Sequence, residues 1–85
     1  IEFEPKDYEV AIKILDTLAL QKNITNDEIK YIYKTTLEKD DNPAIIQILI
    51  KLQLGFYINN VNDSEYVFTT KVLKDQWVKF RGLKF

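Results

Sequence analysis

The spacing of the apolar residues changes at Gly55, and this change constrains the fold more than any other feature of the sequence. Before Gly55, large apolar side chains recur every three or four residues, the spacing that places them on one face of an α-helix. After Gly55 come two short runs rich in aromatic and β-branched residues, 56–59 and 66–69, which are typical of β-strands. A chain of 85 residues with both patterns is expected to form one domain, mainly α with a small β-hairpin.

The first predicted helix runs from Lys6 to about Gln21. Its apolar residues follow the i, i+3, i+4, i+7 spacing of a single helical face, and this face is expected to pack on the core. Ile14 and Leu20 lie outside that spacing, so they would need another element to cover them. The residues of the predicted core face are Tyr8, Ala11, Ile12, Leu15, Leu18 and Ala19.

Capping residues mark the ends of a second and a third helix. Thr25 and Glu28 have the spacing of a capping box, in which each side chain accepts a hydrogen bond from a free backbone N–H of the first turn. The helix that they open is expected to end near Lys39. Pro43 suits the first turn of the next helix, because the N–H that proline lacks would have no intrahelical partner there. This third helix covers 44–54, and the glycine that follows is expected to end it.

The segments 56–60 and 65–69 are predicted to pair as an antiparallel hairpin. The residues between them are rich in Asn, Asp and Ser, which favour turns. Because an isolated two-stranded hairpin is only marginally stable in water, this one is expected to pack against the helices. Thr69 or Thr70 can cap a last helix over 71–81, whose predicted core face consists of Leu73, Trp77 and Phe80.

The composition argues against catalysis by this chain alone. Neither Cys nor His is present, which removes the thiolate nucleophile, the commonest general base and the commonest metal ligands. The 13 acidic residues are scattered instead of forming the Asp-rich loop of a calcium site. We therefore expect no catalytic residue, no metal and no cofactor. The lack of Cys also fits a cytoplasmic protein, and a chain that begins at Ile1 without Met suggests a domain of a larger protein.

The charge is close to balanced but unevenly distributed. Residues 1–42 carry ten acidic residues against six lysines, whereas residues 43–85 carry three acidic residues against six basic ones. A general nucleic-acid-binding domain is usually basic throughout, so only weak binding to nucleic acid is expected. No apolar run approaches the roughly 18 residues of a membrane span, and no contact with a membrane is expected.

The predicted elements follow the order helix, short extended segment at Ile24, helix, helix and hairpin. Within this order, 52–56 (LQLGF) leads from the third helix into the hairpin, and 65–77 (EYVFTTKVLKDQW) leads from the last strand into a helix that bears a Trp. The first segment resembles the exit from the third helix into the wing of a winged helix-turn-helix domain. The second resembles the ending of the winged-helix domains that follow the ATPase core in archaeal-type and STAND-class P-loop ATPases. The proline usual before the last helix is replaced here by Thr70 or Lys71, and the chain has no P-loop motif. The resemblance therefore implies an accessory domain with a three-helix core, a two-stranded wing and an additional C-terminal helix.

The third helix carries two apolar stripes. The face expected to point inward consists of Ile45, Ile48, Leu49 and Leu52. A second stripe has the spacing i, i+4, i+8 and consists of Ile46, Ile50 and Leu54. We expect it to pack under the first and last helices, with an exposed patch that docks on a neighbouring domain or a second copy as the alternative. For an exposed patch, Tyr31 and Tyr57 are candidate aromatic residues at the rim.

A winged helix that reads DNA offers polar or basic side chains from its third helix to the major groove. Only Gln47 and Lys51 are available for that role here, and the tip of the hairpin has no Lys or Arg with which to grip a minor groove. Trp77 is interpreted as a core anchor, with base stacking as the alternative. The last helix is the one basic feature, and its candidate phosphate contacts are Lys71, Lys74, Lys79 and Arg81.

Two functions remain open from the sequence. The first is a non-catalytic interaction or regulatory winged-helix module that packs on another domain of its own protein, such as a P-loop ATPase, or on a separate protein. The second is a DNA-binding winged helix of a transcription regulator or a replication-type ATPase. We expect the first, because the third helix has an additional aliphatic stripe and almost no charge.

Overall fold

The computed structural model describes residues 3–84, which form four helices and a three-stranded antiparallel sheet. A mainly helical domain with a small β-element is thereby confirmed, although the sheet has one strand more than the predicted hairpin. In chain order the elements are α1 (Pro5–Ala19), β1 (Ile24–Thr25), α2 (Asn26–Leu37), α3 (Asn42–Leu54), β2 (Ile58–Asn62), β3 (Glu65–Phe68) and α4 (Lys71–Arg81).

Capping side chains hold the starts of α2 and α4. The Thr25 hydroxyl accepts the N–H of Glu28 at 3.2 Å, and the Glu28 carboxylate accepts the N–H of Thr25 at 3.1 Å, so the predicted capping box is formed. Thr70 caps α4, where its hydroxyl accepts the N–H of Leu73 at 3.0 Å. These bonds satisfy backbone N–H groups that a helix leaves free in its first turn.

α3 ends at Leu54 and Gly55 follows it, as predicted, but another residue takes the left-handed conformation that closes the helix. Gly55 keeps a φ of −81°, and Phe56 instead adopts the left-handed conformation, with a φ of 63°. The N–H groups of Phe56 and Tyr57 donate to the carbonyl oxygens of Gln53 and Leu52, each at 3.0 Å. This pair of bonds is that of a Schellman motif, which satisfies the last carbonyls of a helix. A bulky side chain therefore occupies the position that glycine usually takes.

β3 is the central strand of the sheet, whose strand order is β1-β3-β2. β2 begins two residues later than predicted and pairs with β3 so that Ile58 lies opposite Phe68. On the other edge β3 pairs with β1, where Ile24 lies opposite Tyr66. The sequence showed Ile24 only as an extended residue, because a strand of two residues is too short to display an alternating pattern.

The core lies between α1, α2, α3 and the sheet. α1 buries more than its predicted face: Val10 and Ile14 are fully buried, because α2, α3 and α4 contact this helix on different sides. Tyr8 belongs to the predicted face but is exposed. The largest fully buried side chains are Tyr33, Ile14, Leu18, Ile24, Ile29, Ile48, Leu52, Ile58 and Val10.

α4 lies outside this core and packs on α1 and β3 without burying any residue completely. Trp77 anchors it, as predicted: the indole N–H donates to the carboxylate of Asp16 on α1 at 2.9 Å, and Arg81 donates to the same carboxylate at 3.1 and 3.0 Å. The prediction of Phe80 as a core residue is wrong, because its side chain is 81% exposed. Its ring contacts that of Trp77 at a centroid distance of 6.1 Å and lies at the solvent-facing end of α4.

Candidate functional site

α3 exposes the second of its two apolar stripes. The inward face is buried as predicted, whereas Ile46, Ile50 and Leu54 are 54%, 40% and 71% exposed. The expectation that this stripe packs under the first and last helices is therefore wrong, and the exposed alternative holds. The reason is the position of α4, which packs on α1 and β3 and leaves the outer side of α3 uncovered.

An exposed aromatic residue follows this stripe in the sequence, just beyond the end of the helix. Phe56 is 78% exposed, and its left-handed backbone conformation costs a residue other than glycine roughly 1–2 kcal/mol. Strained conformations of this kind cluster at functional sites. Ile46, Ile50, Leu54 and Phe56 are together called the α3 patch below. Sequence analysis missed Phe56, because its residue type and position assigned it to the following strand.

Lysines border the α3 patch, and α3 itself contains no acidic residue. Lys51 lies at one border, where its ammonium group is 5.4 Å from the centre of the Phe3 ring, within the range of a cation–π interaction. Lys30 on α2 lies at the other border and lines, with Ile46, a hollow of about 280 Å³. Gln47 is an exposed polar residue of α3 beside the patch. The outer face of α3 is thus apolar at its centre and positive at its borders.

The two aromatic residues expected at the rim line grooves other than the hollow beside Ile46. Tyr31 lines a separate groove between α1 and α2 that includes Thr17. Tyr57 is half-buried in the cleft between α1, α3 and α4, where its ring meets the edge of Trp77 at a centroid distance of 6.4 Å. Both were proposed because they are aromatic. Periodicity alone does not tell which neighbouring helix faces the side of α2 that carries Tyr31, and it does not tell which groove receives Tyr57, which lies in a loop.

Part of the predicted basic surface is present at the start of α4. Lys71 and Lys74 lie with Lys22 around a hollow of about 400 Å³. The ammonium group of Lys74 donates to the carbonyl oxygen of Gln21 at 2.6 Å, which ties α4 to the loop after α1. Lys22 was missed by the sequence analysis, because it is far from α4 along the chain and only the tertiary fold brings the two together.

The other candidates for DNA contact do not extend this cluster. Arg81 is paired with Asp16, and the hydrogen bonds that the guanidinium group donates to this carboxylate raise its pKa above the ordinary value. Lys51 is placed over the ring of Phe3. Gln47 and Lys79 are exposed on different helices, α3 and α4. The polar residues that a DNA-binding function would use are therefore spread over separate parts of the surface.

The tip of the hairpin is a hydrogen-bonded polar turn. The side-chain carbonyl of Asn62 accepts the N–H of Ser64 at 2.9 Å, and the side-chain amide of Asn26 donates to the carbonyl oxygen of Asp63 at 3.2 Å. The first bond closes the turn on itself, and the second connects it to the start of α2. Since residues 56–70 include no Lys or Arg, the tip has no cation to place against a phosphate.

No protein-family model, curated protein or solved structure matches the chain. The resemblance to the winged-helix domains of P-loop ATPases therefore stays a prediction. None of the helices within residues 3–84 has the length and apolar content needed to cross a membrane. Function has to be inferred from the surface of the domain, where the α3 patch combines exposed aliphatic side chains, a strained aromatic residue and bordering lysines.

Proposed function

We propose that this domain is a non-catalytic winged-helix module that docks on another protein domain through the α3 patch. The order of the elements, in which β3 leads directly into α4, supports the winged-helix part of the proposal. A P-loop ATPase is the parent protein that fits the resemblance. The domain would then pack on a neighbouring part of the same chain or on a separate protein.

The exposure of three large aliphatic side chains along α3 carries this proposal. In winged-helix domains that bind DNA, the third helix presents its outer face to the major groove, and reading a base edge requires polar or basic groups. Here that face presents Ile46, Ile50 and Leu54. Burial of apolar surface contributes roughly 25 cal/mol per Å² to a complex, before the costs of association are subtracted. The outer face of α3 is therefore better suited to a protein than to DNA.

Site-specific photo-cross-linking in cells tests the docking function. A photoreactive side chain at position 50 of the full-length protein is expected to cross-link to a defined protein segment. The matched control is the same side chain at position 76, an exposed position on α4. Ile46→Lys should remove the cross-link from position 50, because it would place an unpaired charge in the interface. Cross-linking of DNA from position 50, or equal protein yields from positions 50 and 76, would rule out docking through α3.

DNA binding is the alternative function, and the lysine cluster at the start of α4 is the observation that favours it. Lys22, Lys71 and Lys74 line one hollow together with Asp75, and contacts to phosphate supply essentially all of the affinity in non-specific DNA binding. The net charge of −1 and the apolar outer face of α3 oppose this function. Binding through α4 would be sensitive to salt and would leave the α3 patch exposed.

A further inference from the structure

The charges at the borders of the α3 patch restrict the kind of protein that can dock there. Lys51 lies about 140° around the helix axis from Ile46, since the two residues are five positions apart. Lys30 lies at the opposite border, next to Ile46, because these two residues line the same hollow. The other residues that line this hollow are all uncharged: Asn26, Asn42, Ile45, Leu49 and Tyr66. A partner that covers the patch therefore meets a positive charge at each border.

The shape of the patch is a ridge. Ile46, Ile50 and Leu54 are four residues apart and so form a single row along α3. Rows of this kind fit between the rows of a second helix in the commonest class of helix packing in globular proteins. The hollow beside Ile46 leaves room on the α2 side for a side chain of that second helix.

A second copy of this domain does not fit the patch. If two α3 patches met, the lysines at the borders of one would face the lysines of the other, and α3 has no acidic residue to offer them. Like charges placed against each other suppress association. α1 does carry acidic residues, but its apolar face is buried in the core. A different sequence with the opposite charge therefore fits the α3 patch better than a second copy does.

We propose that the α3 patch binds an amphipathic α-helix whose apolar stripe is flanked on both sides by Asp or Glu. This inference rests on the proposed docking function and adds the chemistry of the partner. The apolar stripe would cover the ridge, and the acidic flanks would pair with Lys30 and Lys51. Ion pairs at such a border add little affinity each, but they fix the orientation of the partner and accelerate association.

Two synthetic helical peptides test the inference. Both have the same row of leucines, and they differ only in carrying Glu or Lys on both flanks. In fluorescence-anisotropy titrations at low salt, the Glu-flanked peptide is expected to bind the domain at least about 10-fold more tightly than the Lys-flanked peptide, and salt should reduce this difference. Ile50→Lys should abolish binding of the Glu-flanked peptide. Unchanged binding to Ile50→Lys would place the peptide elsewhere and overturn the inference.

Charge-reversed variants locate the origin of the preference. The double variant Lys30→Glu/Lys51→Glu should bind the Lys-flanked peptide more tightly than the Glu-flanked one. Lys30→Glu alone should reduce the preference for the Glu-flanked peptide without disturbing the contact between Lys51 and Phe3. The control Lys22→Glu/Lys71→Glu makes the same change in net charge at the other hollow and should leave the preference intact.

Three results would overturn the inference: equal affinity for the two peptides, binding of neither peptide, or a preference that only the control pair reverses. Each concerns the helical, acidic character of the partner. Photo-cross-linking from position 50 decides separately whether the patch docks on a protein. A cross-link from that position, combined with any of these results, would keep the docking function and reject the acidic helix as its partner.

Discussion

Replacing Ile50 by lysine distinguishes an exposed patch from a buried one. Ile50 is 40% exposed on the outer face of α3. A lysine there can lay its methylene groups along the same surface and keep its ammonium group in water, and lysine is at least as good a helix former as isoleucine. Only part of one aliphatic side chain loses its burial, so the free energy of unfolding should fall by at most about 1 kcal/mol. For a domain of this size, the melting temperature would fall by at most roughly 4–8 °C.

Ile48→Lys is the matched control, two positions earlier on the same helix. Ile48 is buried, so the same lysine would place an ammonium group in the core without a partner, at a cost of several kcal/mol. Since domains are commonly stable by only about 5–15 kcal/mol, this variant should lose its cooperative transition. Thermal melts followed by circular dichroism compare both variants with the wild type. If Ile50→Lys collapsed as Ile48→Lys does, the α3 patch would be buried and the docking surface refuted.

The attachment of α4, the pH dependence of stability and the affinity for DNA provide further checks. Asp16→Ala removes the acceptor that Trp77 and Arg81 share. Because it leaves the part-buried indole N–H of Trp77 without an acceptor, the free energy of unfolding should fall by about 1–3 kcal/mol in urea titrations followed by Trp fluorescence. An unchanged free energy would contradict the anchoring role. Hydrogen bonds, the strongest from Gln21, lower the pKa of Glu28, so its stabilising contribution is present above the ordinary pKa of 4.5 and is lost as the pH falls through the lower pKa of the folded state. The melting temperature should therefore change less across acidic pH in Glu28→Gln than in the wild type. An equal change in both proteins would contradict this contribution of Glu28. Anisotropy titrations with duplex DNA at near-physiological salt should give a Kd in the non-specific range, about 10⁻⁴–10⁻⁶ M, or weaker, whereas sequence-specific nanomolar binding would favour the DNA alternative.

Helix starts could be predicted from the sequence because their interactions are local. In the Thr25–Glu28 capping box and in the cap at Thr70, the bonded residues are three positions apart, so the bonds depend little on the rest of the fold. The sheet was predictable only in part. The hairpin joins neighbouring strands, whereas the pairing of Ile24 with Tyr66 joins distant parts of the chain. Tertiary packing decides a pairing of that kind, and periodicity does not report it.

The buried side of a helix depends on its neighbours, and the errors of the sequence analysis arose there. The spacing placed Ile14 outside the core face and Phe80 within one, and the structure has the reverse. Both stripes of α3 could be identified from the sequence, but the position of α4 decides which of them is covered. The left-handed conformation of Phe56 could not be predicted from the sequence either, because the neighbouring Gly55 was the residue expected to adopt it.

Protection of a thiol at position 50 tests the docking function most directly. The domain has no cysteine, so Ile50→Cys and Gln76→Cys each introduce a single thiol at an exposed position. Maleimide labelling of the isolated domain should modify both thiols at comparable rates. Inside cells, in the full-length protein, we expect the rate at position 50 to fall at least about 10-fold relative to position 76, because a covered thiol reacts only when the interface opens. A ratio of the two rates that is the same in cells as in the isolated domain would contradict docking through the α3 patch.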